Sequence, residues 1–332
     1  MNRAIRFAAA LVAVLALSPS ANALDKVKLS YVISSVEYAD FFMAIDKGYF
    51  AEEGIEIELE QAGGGVAVPA LISGGLDFTG SGSVAISAIL KGAKLKVLFV
   101  VDAHPAMQIW SPESVKSFDD LKGKTIAVIS RGDTTEIAIR YYLAKHNLPN
   151  DTVSYAPLGP GLARSAAVSS GSYPGAMLNA NEAEDLKNAG KLKGLHKVVD
   201  LRQEISMAYN ALATSDALLA KNPDLMRRMA RAVLKGVRHV KASKGDTVDI
   251  LLKHGLSNPT AVALEYDNII DSITTTGTMA QSDQDFDVTT RAVMLDLPKD
   301  KFKASDVFDF TYADKANAEL KAENWQPKIS KK

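Results

Sequence analysis

The chain has 332 residues, enough for about two domains at roughly 150 residues each. Its 38 Lys and Arg against 39 Asp and Glu leave a net charge of −1, which excludes the positive excess that nucleic-acid and polybasic membrane-surface binders need. It has no cysteine, so disulfides, thiolate nucleophiles, zinc–thiolate sites and iron–sulfur sites are excluded as well.

The first element reads as an export signal. Arg3 and Arg6 precede an apolar run over 7–17, Ser18-Pro19-Ser20 breaks it, and Ala21-Asn22-Ala23 offers the small residues a signal peptidase reads. The run covers about half of the roughly 20 residues a membrane span requires. Residues 1–23 are therefore expected to be a signal peptide cleaved after Ala23. The remaining chain is expected to be soluble and exported, hence periplasmic in a bacterium with two membranes.

A strand is expected over 27–33, then a polar turn and a helix over 41–53 that Gly54 ends. Strands at 55–60, 76–79 and 94–101 alternate with helices at 66–72 and 83–90. The order then begins again, with strand 125–130, helix 136–145, strand 152–157 and a helix toward 169. Residues 27–98 lie over 124–195 at a constant offset of 97 without a gap. Gly64 falls on Gly161, and Ser73-Gly74 falls on Ser170-Gly171. This predicts an α/β protein of two lobes with similar topology, each built on a parallel sheet.

Beyond Leu195, strands are expected at 196–201 and 206–214, and the remainder reads as mostly helical. Asn222-Pro223 opens a helix that runs to about 241. Leu225, Met229, Val233, Val237 and Val240 form its apolar side. Arg227, Arg228, Arg231, Lys235, Arg238 and Lys241 crowd the other side, which reads as a solvated face.

Catalytic and cofactor motifs are missing. The five histidines are scattered without metal-binding spacing, and no Gly-x-Ser-x-Gly elbow, Walker loop or dinucleotide fingerprint is present. What recurs is a small, polar turn after a strand and before a helix. Examples are Ser34-Ser35, Gly80-Ser81-Gly82-Ser83, Arg131-Gly132-Asp133-Thr134-Thr135 and Gly159-Pro160-Gly161. At the carboxyl ends of parallel strands such turns offer backbone N–H groups and helix dipoles to a ligand. Helix capping explains any single one of them, and Asp133 with Glu136 already reads as a capping pair.

Four segments carry a family resemblance: AIDKGYFAEEGI over 44–55, ALISGGLDF over 70–78, DLKGKTIAV over 120–128 and AKNPDL over 220–225. On these the chain resembles the periplasmic solute-binding proteins of nitrate/sulfonate/taurine-type ABC importers, a group that includes thiamin-pyrimidine binders. The resemblance implies the periplasmic-binding-protein fold, with two α/β lobes, a two-strand hinge and a ligand cleft between them. It implies lobe one at 24–108 plus 210–332 and lobe two at 109–209, with crossings near 107–110 and 207–211. The implied ligand-binding residues are Ser34, Ser35 and Tyr38 after the first strand, and Ser81, Gly82 and Ser83 after the third. In lobe two they are Arg131, Gly132, Asp133, Thr134 and Thr135, with Asn179, Asn181 and Glu182 after a strand at 175–178. The sequence departs from the family pattern at Ser172-Tyr173-Pro174-Gly175, where a small-acidic-small strand opening is usual.

The implied function is capture of a small solute by lobe closure and delivery to an ABC permease in the inner membrane. No catalytic residue, metal or cofactor is expected, and a monomer without a nucleic-acid partner is expected. Arg131 beside a helix N-terminus favours a sulfonate, nitrate or carboxylate as ligand. Glu37, Asp133 and Glu182 suit the alternative, a pyrimidine or amine-bearing solute. An enzyme of pyrimidine synthesis on the same scaffold is the competing class, and a ligand-dependent partner of a membrane receptor is a third.

Overall fold

Alternating apolar and polar residues make Asp25–Tyr31 a strand, with Val27 and Leu29 buried beneath it. The computed structural model describes residues 24–330, so the signal peptide expected over 1–23 lies outside the described residues. After β1 (Asp25–Tyr31) come α1 (Ala39–Asp46) and α2 (Tyr49–Glu52). The single helix expected over 41–53 is thus broken, because Gly48 adopts a left-handed φ of +75°. Next come β2 (Ile55–Gln61), α3 (Gly64–Ser73), β3 (Phe78–Thr79), α4 (Gly82–Leu90) and β4 (Leu95–Asp102).

The second lobe opens with β5 (Met107–Pro112), β6 (Thr125–Val128), α5 (Thr134–Lys145) and β7 (Ser154–Pro157). It continues through α6 (Gly161–Ser169), β8 (Gly175–Asn179), α7 (Ala180–Asn188) and β9 (Leu195–Asp200). The short α8 (Leu201–Glu204) then leads back to β10 (Asn210–Ser215). The rest is helical: α9 (Asp216–Lys221), α10 (Pro223–Ala242), α11 (Lys244–Lys253) and α12 (Pro259–Ile269). It finishes with α13 (Gln281–Met294), α14 (Ala304–Val307) and α15 (Thr311–Ala322).

The two sheets have the orders β2-β1-β3-β10-β4 and β7-β6-β8-β5-β9. Adding 97 carries β2, β3 and β4 onto β7, β8 and β9, and α3 and α4 onto α6 and α7. The repeat read in the sequence is therefore a repeat of fold. Each sheet is mixed rather than purely parallel, since β10 runs against β3 and β4, and β5 runs against β8 and β9. Both reversed strands are reached by chain crossings between the lobes, at 103–106 and 205–209. The crossings lie side by side: Met207 N–H donates to Ala103 O at 2.9 Å, and Tyr209 N–H to Asp102 O at 3.0 Å. The strand expected from 206 begins only at Asn210 because the crossing occupies the preceding residues.

The basic side of α10 is not solvated as expected. Arg231 donates to Glu53 at 2.9 Å, Glu319 at 2.9 Å and Glu323 at 3.0 Å, and Lys235 donates to Glu52 at 3.0 Å and Glu53 at 2.8 Å. These carboxylates, in or just after α2 and α15, arrive from more than 80 residues away on either side, so helix periodicity alone does not reveal them. On the opposite side α10 lies close against α1. A Cβ on Gly236 would stand 2.3 Å from the carbonyl oxygen of Asp40, so only glycine fits.

Candidate functional site

The turns after β1, before α4 and before α5 enclose one cavity of ≈ 420 Å³ between the lobes. Val32, Ile33 and Val84 supply apolar wall from the first lobe, and Ile137 supplies it from the second. Tyr38 and Tyr209 line the cavity too, Tyr209 from the crossing itself. An adjoining cavity of ≈ 340 Å³ shares Ser87, Gly132, Ile137 and Arg291 with the first.

On the first lobe, Ser81 precedes α4 with a buried hydroxyl that has no hydrogen-bond partner among the described residues. Its N–H donates to Thr79 Oγ1 at 3.1 Å, and Ser30 donates to the same oxygen at 2.7 Å, which holds the turn on the sheet. A Cβ on Gly82 would lie 2.5 Å from Ala211, so glycine lets the turn pack against β10. On the second lobe, Asp133 caps α5. Its Oδ1 accepts from Glu136 N–H at 3.3 Å and from the Thr135 hydroxyl at 2.7 Å, while Thr135 Oγ1 accepts from Ile129 N–H at 3.0 Å.

The structure brings Tyr38, Ser81, Ser83, Gly132, Asp133 and Thr134 to the cavity. It puts other residues of the expected set to other use. Thr135 is buried in the cap, and Asn179 and Glu182 form a capping box at the start of α7. Glu182 also pairs with the fully buried Arg164 at 2.5 Å. Ser34 and Asn181 line a separate cavity of ≈ 260 Å³ between α7 and α12, and Ser35 is buried with an unpartnered hydroxyl. Gly82 supports the turn without lining the cavity.

Arg131 turns away from the cleft. Its guanidinium pairs with Glu136 at 3.3 Å and lies 5.2 Å from the Tyr155 ring centre, with 57% of the side chain exposed. The arginine that does line the cavity is Arg291, from α13. It is fully engaged: Nε donates to Asp287 Oδ1 at 2.5 Å, Nη1 to Ser83 O at 2.9 Å, and Nη2 to Ser83 Oγ and Ala208 O at 3.1 and 3.2 Å. No local motif marks Arg291, which stands about 200 residues from the turn it holds. Tyr209 had a signal, since the crossing was expected there.

The free carboxyl that lines the cavity among the described residues is that of Glu37. Its side chain makes no hydrogen bond or ion pair among the described residues, and its backbone oxygen accepts from Asn210. Burial, with Asp102 and Glu265 nearby, pushes its carboxyl up to about 8. Glu37 in turn is the largest influence holding the Tyr209 hydroxyl well above its ordinary range.

The chain has relatives, and its fold has known counterparts. The riboflavin-binding protein RibY of Chloroflexus aurantiacus is 28% identical over 232 residues, which cover 68% of this chain and 64% of that protein. The putative binding protein YtlA of Bacillus subtilis is 27% identical over 230 residues, covering 66% of this chain and 67% of YtlA. The sulfonate ABC transporter's periplasmic sulfonate-binding protein SsuA of Methylobacillus flagellatus superposes with a TM-score of 0.70 at 17% identity, covering 93% of this chain and 99% of SsuA. The chain thus has the periplasmic-binding-protein fold of two α/β lobes. Residues 35–244 match the NMT1/THI5-like family model, and the chain belongs to that family.

Proposed function

We propose that this protein captures a small organic solute between its lobes in the periplasm and hands it to an ABC-type import permease in the inner membrane. The carrying observation is a cavity walled by both lobes beside two hydrogen-bonded crossings, the geometry in which a ligand touches both walls only when they close. The names of RibY and SsuA as binding proteins support the same reading. Among the described residues no histidine or lysine lines the cavity to activate its serines, which favours binding over a reaction.

For the ligand, the cleft favours a flat heterocycle that is neutral or bears an amine over a small oxyanion. Arg131 lies outside the cavity and Arg291 is neutralised by Asp287, while the Asp133 carboxylate would repel an anion. Aliphatic and tyrosine walls suit a planar ring. With its carboxyl at about 8, Glu37 donates a proton to a ring acceptor or becomes the carboxylate partner of an amine.

Calorimetry with riboflavin, an aminopyrimidine, taurine and nitrate tests this, beside mass spectrometry of solute released from protein purified without refolding. A heterocycle should bind and be recovered unchanged, and Glu37→Gln should weaken it about 10- to 100-fold. Taurine or nitrate binding in preference would overturn the ligand class. Turnover of the bound solute would overturn the capture reading.

A further inference from the structure

One helix belongs to both lobes. Val288 of α13 lies in the core that holds Ala85, Ile86 and Val97 of lobe one, whereas Phe286 and Met294 pack on the core that holds Ile139 and Tyr141 of lobe two. Between those faces sits Asp287, completely buried. Its Oδ1 accepts from the Tyr141 hydroxyl of α5 at 2.5 Å and from Arg291 Nε, and its Oδ2 accepts from Ala208 N–H in the crossing at 2.6 Å. Arg291 passes the connection on to Ser83 at the cleft and to Ala208 O.

We propose that Asp287 and Arg291 are positioning residues that fix the Ser81–Ser83 turn relative to lobe two, with the Tyr141 hydroxyl as the contact that rotation about the crossings must break. Tyr141 reaches Asp287 across the boundary along which lobe two would swing. Ala208 and Ser83 lie on the crossing and on the cleft wall, so a movement of α13 is felt at both. Burial keeps the Tyr141 hydroxyl protonated and able to donate throughout the working pH range. The ring has its own contacts, with Arg291 5.6 Å and Phe286 6.0 Å from it, and these remain when only the hydroxyl is removed.

The inference rests on lobe movement, as the capture reading requires, but not on which solute is captured. Spin labels on Lys91 and Lys187, both exposed, report the interlobe distance in the full mature chain without ligand. Tyr141→Phe should shift the distribution away from the interlobe distance of this structure, with the ratio of molecules outside that arrangement to those in it rising about tenfold. Asp287→Asn, which keeps the shape and one acceptor, should shift it the same way. Distributions that superpose on the parent's while melting temperature falls would overturn the inference, because the hydroxyl would then be only a packing element. Failure of the parent protein to bind any solute of the panel would count against the capture reading alone, since the distance measurement uses no ligand.

Discussion

Raising the pH from about 6.5 to about 8.5 should lower the unfolding free energy, and Asp40→Asn should remove much of that loss. Asp40 stands in the first turn of α1 and is 2% exposed. No side chain among the described residues pairs with it, and the nearby amides of Asp40 and Phe41 offset only part of the desolvation, so burial pushes its carboxyl from 3.8 up to about 8. Between those two values the folded chain holds a proton that the unfolded chain has released. The stability gained from holding it is present at low pH and is lost as pH rises through about 8. Glu37, also raised to about 8, and Asp102, raised to about 6, act with the same sign. His239 is lowered by burial and acts oppositely below its ordinary 6.5, so the fall should be clearest above that pH. Asparagine keeps the shape and cannot ionise. Urea titration at pH 8.5 should find Asp40→Asn more stable than the parent by about 3 kcal/mol, with the gap closing toward pH 4. Equal stability at pH 8.5 would mean that the carboxylate is solvated there.

Arg231→Ala should cost about 3 kcal/mol of unfolding free energy. Arg231 is 8% exposed and joins Glu53 just after α2, Glu319 of α15 and Glu323 just after α15. Truncation leaves Glu53, itself 9% exposed, with Lys235 as its remaining cation. Most of the cost is the weaker compensation of this carboxylate, left to a single cation, rather than the lost attraction itself. Arg228 provides the contrast one turn earlier, since its partners Asp25 and Asp224 are largely exposed and Arg228→Ala should cost under about 1 kcal/mol. Chemical denaturation of both variants separates the cases. Equal losses would show that the network is screened like an open surface.

The sequence was most informative where the signal was local. Strand and helix order, the 97-residue offset and the Asp133 cap can all be read from neighbouring residues, because they depend on backbone preference and short-range hydrogen bonding. The cleft was half legible: the turn that carries Ser81 and Ser83 and the turn that carries Gly132 and Asp133 were visible for the same reason. The resting place of Arg131 was not legible, because position after a strand does not say which way a long, flexible side chain turns, and Glu136 and the Tyr155 ring offer it a near partner. Arg291 and the carboxylates over α10 were out of reach, since their roles exist only once distant helices have packed.

The place of β10 has a consequence for how the chain acquires its shape. That strand lies between β3 and β4, and it is residues 210–215 that fill the gap. The first sheet therefore cannot close until the whole second lobe has been synthesised. The second sheet draws all its strands from one continuous stretch, 107–200. Its pairings span shorter loops, and shorter loops close at lower entropic cost. Although it emerges later, the second lobe should be the first to gain protected amides. Until β10 arrives, the strands nearest the N-terminus should stay exchangeable, leaving the leading part of the polypeptide thread-like for longer than its position in the chain suggests.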